Sequence, residues 1–121
     1  DAELYEGAVW ESLMFIAHHG IKMTLIVDRN AMGILGKTEE LLKLEPLHKK
    51  FESFGFQTYS IDGHDFESLR QVFSNQASHP RVVIADTIKG KGVSYMEDVW
   101  QYHTIIPKSD EDIEKAIEEL S

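Results

Sequence analysis

The sequence predicts an α/β fold with an open, mostly parallel sheet flanked by helices, and three observations carry that prediction. Two short runs rich in Val, Ile and Leu, at 24–28 and 81–87, have the composition of strands buried on both faces of a parallel sheet. Segments with apolar residues at helical spacing stand around them. Glycine and proline punctuate the joins, at Gly20, Pro46, Gly55 and Pro80. Strands alternating with helices form parallel units whose carboxyl ends share one sheet edge.

Taken in order, residues 5–19 read as a helix in which eight of the ten residues from Ala8 to Ala17 are apolar. A helix apolar nearly all round is buried on more than one side. It stands either at the centre of the core or, the reading we adopt, between its own sheet and a partner chain or domain. Gly20 ends it as a C-cap. The strand at 24–28 leads into 29–41, which carries Gly33, Gly36 and Thr38 without a clear period and reads as a loop at the ligand edge.

Pro46 opens a second helix bearing Leu47, Phe51 and Phe54, and Gly55 closes it. Residues 56–61 read as a strand. Asp65 is the expected N-cap of a helix carrying Phe66, Leu69, Val72 and Phe73. The strand at 81–87 ends in a Gly-Lys loop, 89–92. Ser109, with Asp112 three residues on, starts a last helix with the stripe Ile113, Ala116, Ile117 and Leu120.

A chain of 121 residues buries one core, so residues 1–121 read as one domain. The net charge of −9 argues against a nucleic-acid or anionic-membrane partner, because such binding is driven by Lys and Arg. No run approaches the roughly 18 apolar residues of a membrane span. With no cysteine there is no disulfide framework and no zinc-thiolate site, which suits a cytoplasmic location.

The chemistry concentrates at the start of the chain and at Asp28 to Met32. Asp1 and Asn30 stand 29 positions apart, close to one strand-helix-strand unit of about 30 residues. That spacing puts both at one sheet edge, where ligands of open α/β sheets settle. A carboxylate and an amide oxygen are hard ligands suited to Mg²⁺, which keeps phosphate oxygens and water in the rest of its octahedron. Amides at Ala2 and Glu3, near a helix start, would add partial positive charge. By spacing alone, residues of these types at strand ends more often cap turns.

The residues are more specific than the spacing. D-A-E-L-Y-E-G from Asp1 to Gly7 and I-V-D-R-N-A-M from Ile26 to Met32, followed by Ile34, Gly36 and T-E-E, resemble the diphosphate-binding part of thiamine-diphosphate enzymes, transketolase and its split N-terminal subunit in particular. The resemblance continues through D-G-H-D at Asp62 to Asp65, A-D-T-I-K-G-K-G-V-S-Y-M-E from Ala85 to Glu97, and Tyr102-His103 with Pro107 beyond. It implies a thiamine-diphosphate-binding fold, incomplete at its N-terminus, and a chain that is a piece of a longer polypeptide.

The same resemblance implies that Asp1, Asn30 and the main-chain carbonyl of Met32 ligate a Mg²⁺ ion, or Ca²⁺ or Mn²⁺ in its place, bridging the two phosphates of thiamine diphosphate. It puts Ile34 against the cofactor's rings and His103 toward diphosphate and substrate. Glu6 would hydrogen-bond toward the glutamate that activates the aminopyrimidine across a subunit contact. Unaided, Glu6 reads as a complement to the helix dipole and His103 as a loop histidine. Lys89 and Lys91 could approach phosphate, while His64 reads as holding its turn.

The implied activity is transfer of a two-carbon ketol unit between sugars or sugar phosphates. A pyrimidine-binding domain or subunit would complete a homodimer or heterotetramer, and this chain alone would not turn over. Alternatives are a deoxyxylulose-phosphate synthase or 2-oxo-acid dehydrogenase type of enzyme, and a flavodoxin-like binding module. Ala2, Ala31 and Leu35 depart from the family's Gly, Gly and Asp, and Thr104 to Ile106 depart on the substrate side.

Overall fold

The strands expected from composition assemble around the most apolar of them. The structure is a computed structural model and describes residues 1–74 and 76–121. In chain order, a 3₁₀ turn (Ala2–Tyr5) leads into α1 (Gly7–His19), β1 (Thr24–Arg29), β2 (Met32–Gly33), β3 (Gly36–Lys37) and α2 (Thr38–Leu41). Then follow α3 (Leu47–Ser53), β4 (Gln57–Asp62), α4 (Phe66–Phe73), β5 (Arg81–Asp86), a second 3₁₀ turn (Trp100–His103) and α5 (Asp110–Glu119).

β1, β5 and β4 lie side by side in that order, all parallel. Arg29, Asp86 and Asp62 are in register at their carboxyl ends, so one edge collects the residues that follow all three strands. β5 takes the centre because it alone is apolar on both faces, and Arg81 to Ala85 are all buried. On one face Val27, Val82 and Ile84 pack against Leu13 of α1 and against Leu47 and Phe51 of α3. Trp10 stacks on Phe51 at 5.7 Å. Phe51 has no exposed surface, so Phe51→Ala costs about 3–5 kcal/mol.

The opposite face carries Val83, fully buried, with α4 against β4. Arg81 ties this face together: Nε donates to Thr24 Oγ1 at 2.7 Å, Nη1 donates to the Val72 carbonyl at 2.9 Å, and the guanidinium lies over the Phe73 ring.

The caps follow the sequence. Gly20 takes the left-handed conformation (φ 59) that ends α1. Asp65 accepts from the Glu67 and Ser68 amides, and Ser109 from the Asp112 amide.

Four expectations need correction. The helix expected at 5–19 is broken at Glu6, whose extended backbone (ψ 121) separates the 3₁₀ turn from α1. β1 is not buried on both faces: Ile26 is 58% exposed, because none of the described residues covers it on the second face. Residues 29–41 hold a β2–β3 hairpin and α2, since the glycines permit a tight hairpin where no period was visible. Phe66, at the first position of α4, turns away from the sheet and is 86% exposed. On α1, Met14 and Phe15 lie exposed opposite the buried Leu13, as a helix with a second apolar side requires.

Candidate cofactor and metal site

Asp1 and Asn30 stand at the same sheet edge. The Asp1 main-chain nitrogen donates to the Asp28 carbonyl at 2.8 Å, which seats Asp1 beside the end of β1. One carboxylate oxygen of Asp1 accepts the Ala2 amide at 3.0 Å, and the other accepts the Ala31 amide at 2.9 Å. Asn30 Oδ1 accepts the Met32 amide at 3.0 Å.

The hairpin decides where the Met32 carbonyl goes. Ala31 and Thr38 are hydrogen-bonded across it, with the Thr38 amide donating at 3.0 Å. Bonded and non-bonded pairs alternate along an antiparallel ladder, so the next pair, Met32 with Lys37, is a non-bonded one. The main-chain groups of Met32 therefore face away from β3, and its amide meets Asn30 on that side. A carboxylate has about four acceptor positions and an amide oxygen two. The Asp1 and Asn30 oxygens, each accepting one amide here, retain lone pairs for a cation.

The first segment is clamped on the second at two further points. The Tyr5 hydroxyl lies 2.8 and 2.9 Å from the Thr38 and Leu42 carbonyls, which share its one proton. A Cβ added to Gly33 would touch the Ala2 Cβ at 3.4 Å, so Ala2 already fills the space over the hairpin. Ile34 and Leu35 form its tip, 55% and 76% exposed. The 3₁₀ turn Trp100–His103 packs against β2 and β3 and brings an exposed His103 to the same end.

Part of the charge along the edge is paired. Arg29 donates to Glu45 Oε1 at 2.6 Å and to Asp86 Oδ1 at 2.8 Å. The Asp86 hydrogen bond, more than that of Glu45, holds this guanidinium protonated above its ordinary range while burial opposes it. Thr87 donates its hydroxyl to Asp28. His64 Nε2 accepts the Ile88 amide at 2.8 Å, which ties the turn after β4 to the loop after β5. An open hollow of about 430 Å³ lies among Asp62, His64, Asp86, Thr87 and Lys91. No group of three or more His, Cys, Asp or Glu able to hold a metal occurs among the described residues, so a cation at this edge would need mixed oxygen donors.

A family described as "Transketolase, thiamine diphosphate binding domain" matches residues 1–120. The chain belongs to the transketolase family. It is 37% identical over 123 residues to one of the apulose-4-phosphate transketolase subunits of Actinobacillus succinogenes, covering 99% of this chain and 44% of that protein. It is 37% identical over 107 residues to transketolase-like protein 2 of Bos taurus, covering 85% of this chain and 17% of that one. The crystal structure of transketolase from Campylobacter jejuni superposes with a TM-score of 0.87 at 30% identity, covering 98% of this chain and 19% of that chain. The chain thus spans less than half the length of the relatives it matches.

Of the residues singled out from the sequence, Asp1, Ala2, Asn30 and Met32 come together within one hydrogen-bonded corner. Ile34 and His103 approach it on the hairpin and on the second 3₁₀ turn. Glu3 and Glu6 are exposed, and Glu6 makes no capping hydrogen bond. The Ala2 amide, expected to face phosphate, donates to the Asp1 carboxylate. Sequence reasoning missed Arg29, Glu45 and Asp86. The transketolase-like I-V-D-R-N stretch already contained Arg29, but its two acidic partners are 16 and 57 residues away and share no pattern with it.

Proposed function

We propose that this chain is the diphosphate and metal anchor of a ketol-transferring thiamine-diphosphate enzyme. Asp1, Asn30 and the Met32 carbonyl hold Mg²⁺, with Ca²⁺ or Mn²⁺ as substitutes, and the ion holds the cofactor's diphosphate. The observation that carries this reading is the Asp1–Ala31 hydrogen bond, which brings the two candidate ligand side chains to one edge. The donor set also fits: hard oxygens, few charges, and positions left over for phosphate and water.

When bound, thiamine diphosphate supplies the carbanion chemistry that cleaves and remakes a carbon-carbon bond. The chain's own residues anchor and orient it. Ile34, at the exposed hairpin tip, offers apolar surface to the rings. His103 offers a hydrogen bond to diphosphate or to a sugar hydroxyl. Glu6, exposed and making no capping hydrogen bond, reaches toward a partner's glutamate. The partner is a pyrimidine-binding domain or subunit, in a homodimer or heterotetramer. The Actinobacillus relative is named as one subunit of a transketolase, which supports a separate chain. No helix among the described residues is long and apolar enough to cross a membrane, which is compatible with a cytoplasmic enzyme.

A donor assay on the assembled enzyme tests the reading. A ketose or ketose phosphate should yield a two-carbon transfer product in the presence of Mg²⁺, and this chain alone should give none. Release of CO₂ from pyruvate would instead assign a deoxyxylulose-phosphate synthase or 2-oxo-acid dehydrogenase chemistry.

A further inference from the structure

α5 rests on the loop after β5 rather than on the sheet, and its grip on that loop is polar. The Glu119 carboxylate accepts both the amide and the hydroxyl of Ser94, each at 2.6 Å. At the other end of the helix the Asp112 carbonyl accepts the Tyr95 hydroxyl at 2.8 Å. Just beyond Glu119, Leu120 lies over Gly92, where an added Cβ would stand 2.9 Å from Leu120 Cδ2. Ile113 and Ile117 remain exposed, so little apolar burial adds to these contacts.

What α5 grips is one connected segment. The Asp98 amide donates to the Lys89 carbonyl, Met96 to Val93, Val99 to Met96 and Tyr102 to Val99. The Gly92 amide donates to the Glu97 carboxylate at 2.9 Å. The Tyr95 ring meets the Tyr102 ring edge-on at 5.8 Å. A displacement at Ser94 therefore reaches the 3₁₀ turn that carries His103.

We propose that α5 is a strap and Glu119 its catch: a positioning residue that, through Ser94, orders residues 88–103 and sets how His103 is presented at the cofactor edge. The part concerning His103 rests on the function proposed above, whereas the ordering of the segment does not. The hydrogen bonds from Ser94 also hold the Glu119 carboxyl below the usual glutamate range, so the catch is ionised at neutral pH. A strap held by exposed polar contacts opens at lower free energy than the sheet does.

The test compares Glu119→Ala, Ser94→Ala and Ser94→Thr in the assembled enzyme. Alanine at position 119 keeps helix propensity high, so within α5 the variant gives up only the exposed Lys115–Glu119 pair at 3.8 Å. Both alanine variants should speed amide exchange across 89–103 by about tenfold while β1, β4 and β5 stay protected. They should also raise KM for the sugar more than they lower kcat, and Ser94→Thr, which keeps the hydroxyl, should restore both readouts. Unchanged exchange in both alanine variants overturns the strap, and faster exchange with unchanged KM overturns its positioning role. If the wild-type enzyme binds no thiamine diphosphate, the functional reading fails and exchange alone decides the strap.

Discussion

The Asp1 carboxylate accepts the Ala31 amide at 2.9 Å while Ala31 stands in the left-handed region at φ 60. This conformation turns the chain sharply after β1, so that Asn30 folds back onto the Met32 amide and the hairpin starts beside Asp1. An alanine there carries strain that glycine would not.

Ala31→Gly should therefore stabilise the protein slightly. Relief of the left-handed penalty is worth roughly 1–2 kcal/mol, and the extra freedom of glycine in the unfolded chain returns about 0.5–1 kcal/mol. Denaturant unfolding should show a small rise in midpoint at constant slope, and a clear fall would contradict the strain.

Gly90 is where a side chain should be least tolerated. Its φ is 74, and an added Cβ would stand 2.5 Å from the Met96 carbonyl oxygen. Gly90→Ala should cost about 2 kcal/mol or more and loosen the loop before His103. Thermal unfolding with amide exchange of 88–104 checks both, and Gly7→Ala, with open space around it, serves as the control.

Arg81 joins β1, β5 and α4 while only 8% exposed. Arg81→Met keeps the apolar stem but strips the donors from Thr24 and the Val72 carbonyl, at a cost of about 1–3 kcal/mol. Arg81→Lys should recover only part of this, because one ammonium cannot reproduce the guanidinium's forked reach over the Phe73 ring. Full recovery in urea unfolding would show that the charge alone matters.

Asp65 gives a pH dependence of known sign. The Ser68 hydroxyl, then the Glu67 and Ser68 amides, hold its carboxyl below the usual aspartate range. A folded pKa below the unfolded one means the stabilisation is complete above the unfolded value and is lost as pH falls through the folded value. Asp65→Asn, which caps without titrating, should flatten the stability curve in that acidic window and leave it parallel to wild type at neutral pH. Identical acid limbs in the two proteins would contradict the assignment.

The sheet, its caps and its edge were legible in the sequence because their determinants are local. Val82 to Ala85 announce a central strand, and Gly20, Asp65 and Ser109 announce helix ends within three residues of the groups they satisfy. That Asp1 and Asn30 share one edge was legible through the spacing of their motifs. What stayed hidden depends on long-range partners or on one dihedral angle. The Arg29–Glu45–Asp86 and Ser94–Glu119 pairings join residues with no shared period, and the break at Glu6 changes no side-chain pattern. The exposure of Ile26 and Phe66 depends on what does or does not lie over them, which strand composition and helical spacing do not report.

The most direct measurement is calorimetric titration of thiamine diphosphate into the assembled enzyme, with and without Mg²⁺, for wild type and Asn30→Ala. Binding by the wild type should require the ion, and Asn30→Ala should weaken it by about 10- to 100-fold, the loss typical of groups that hold or orient a metal. Ion-independent binding, or an unchanged affinity in Asn30→Ala, would contradict the account.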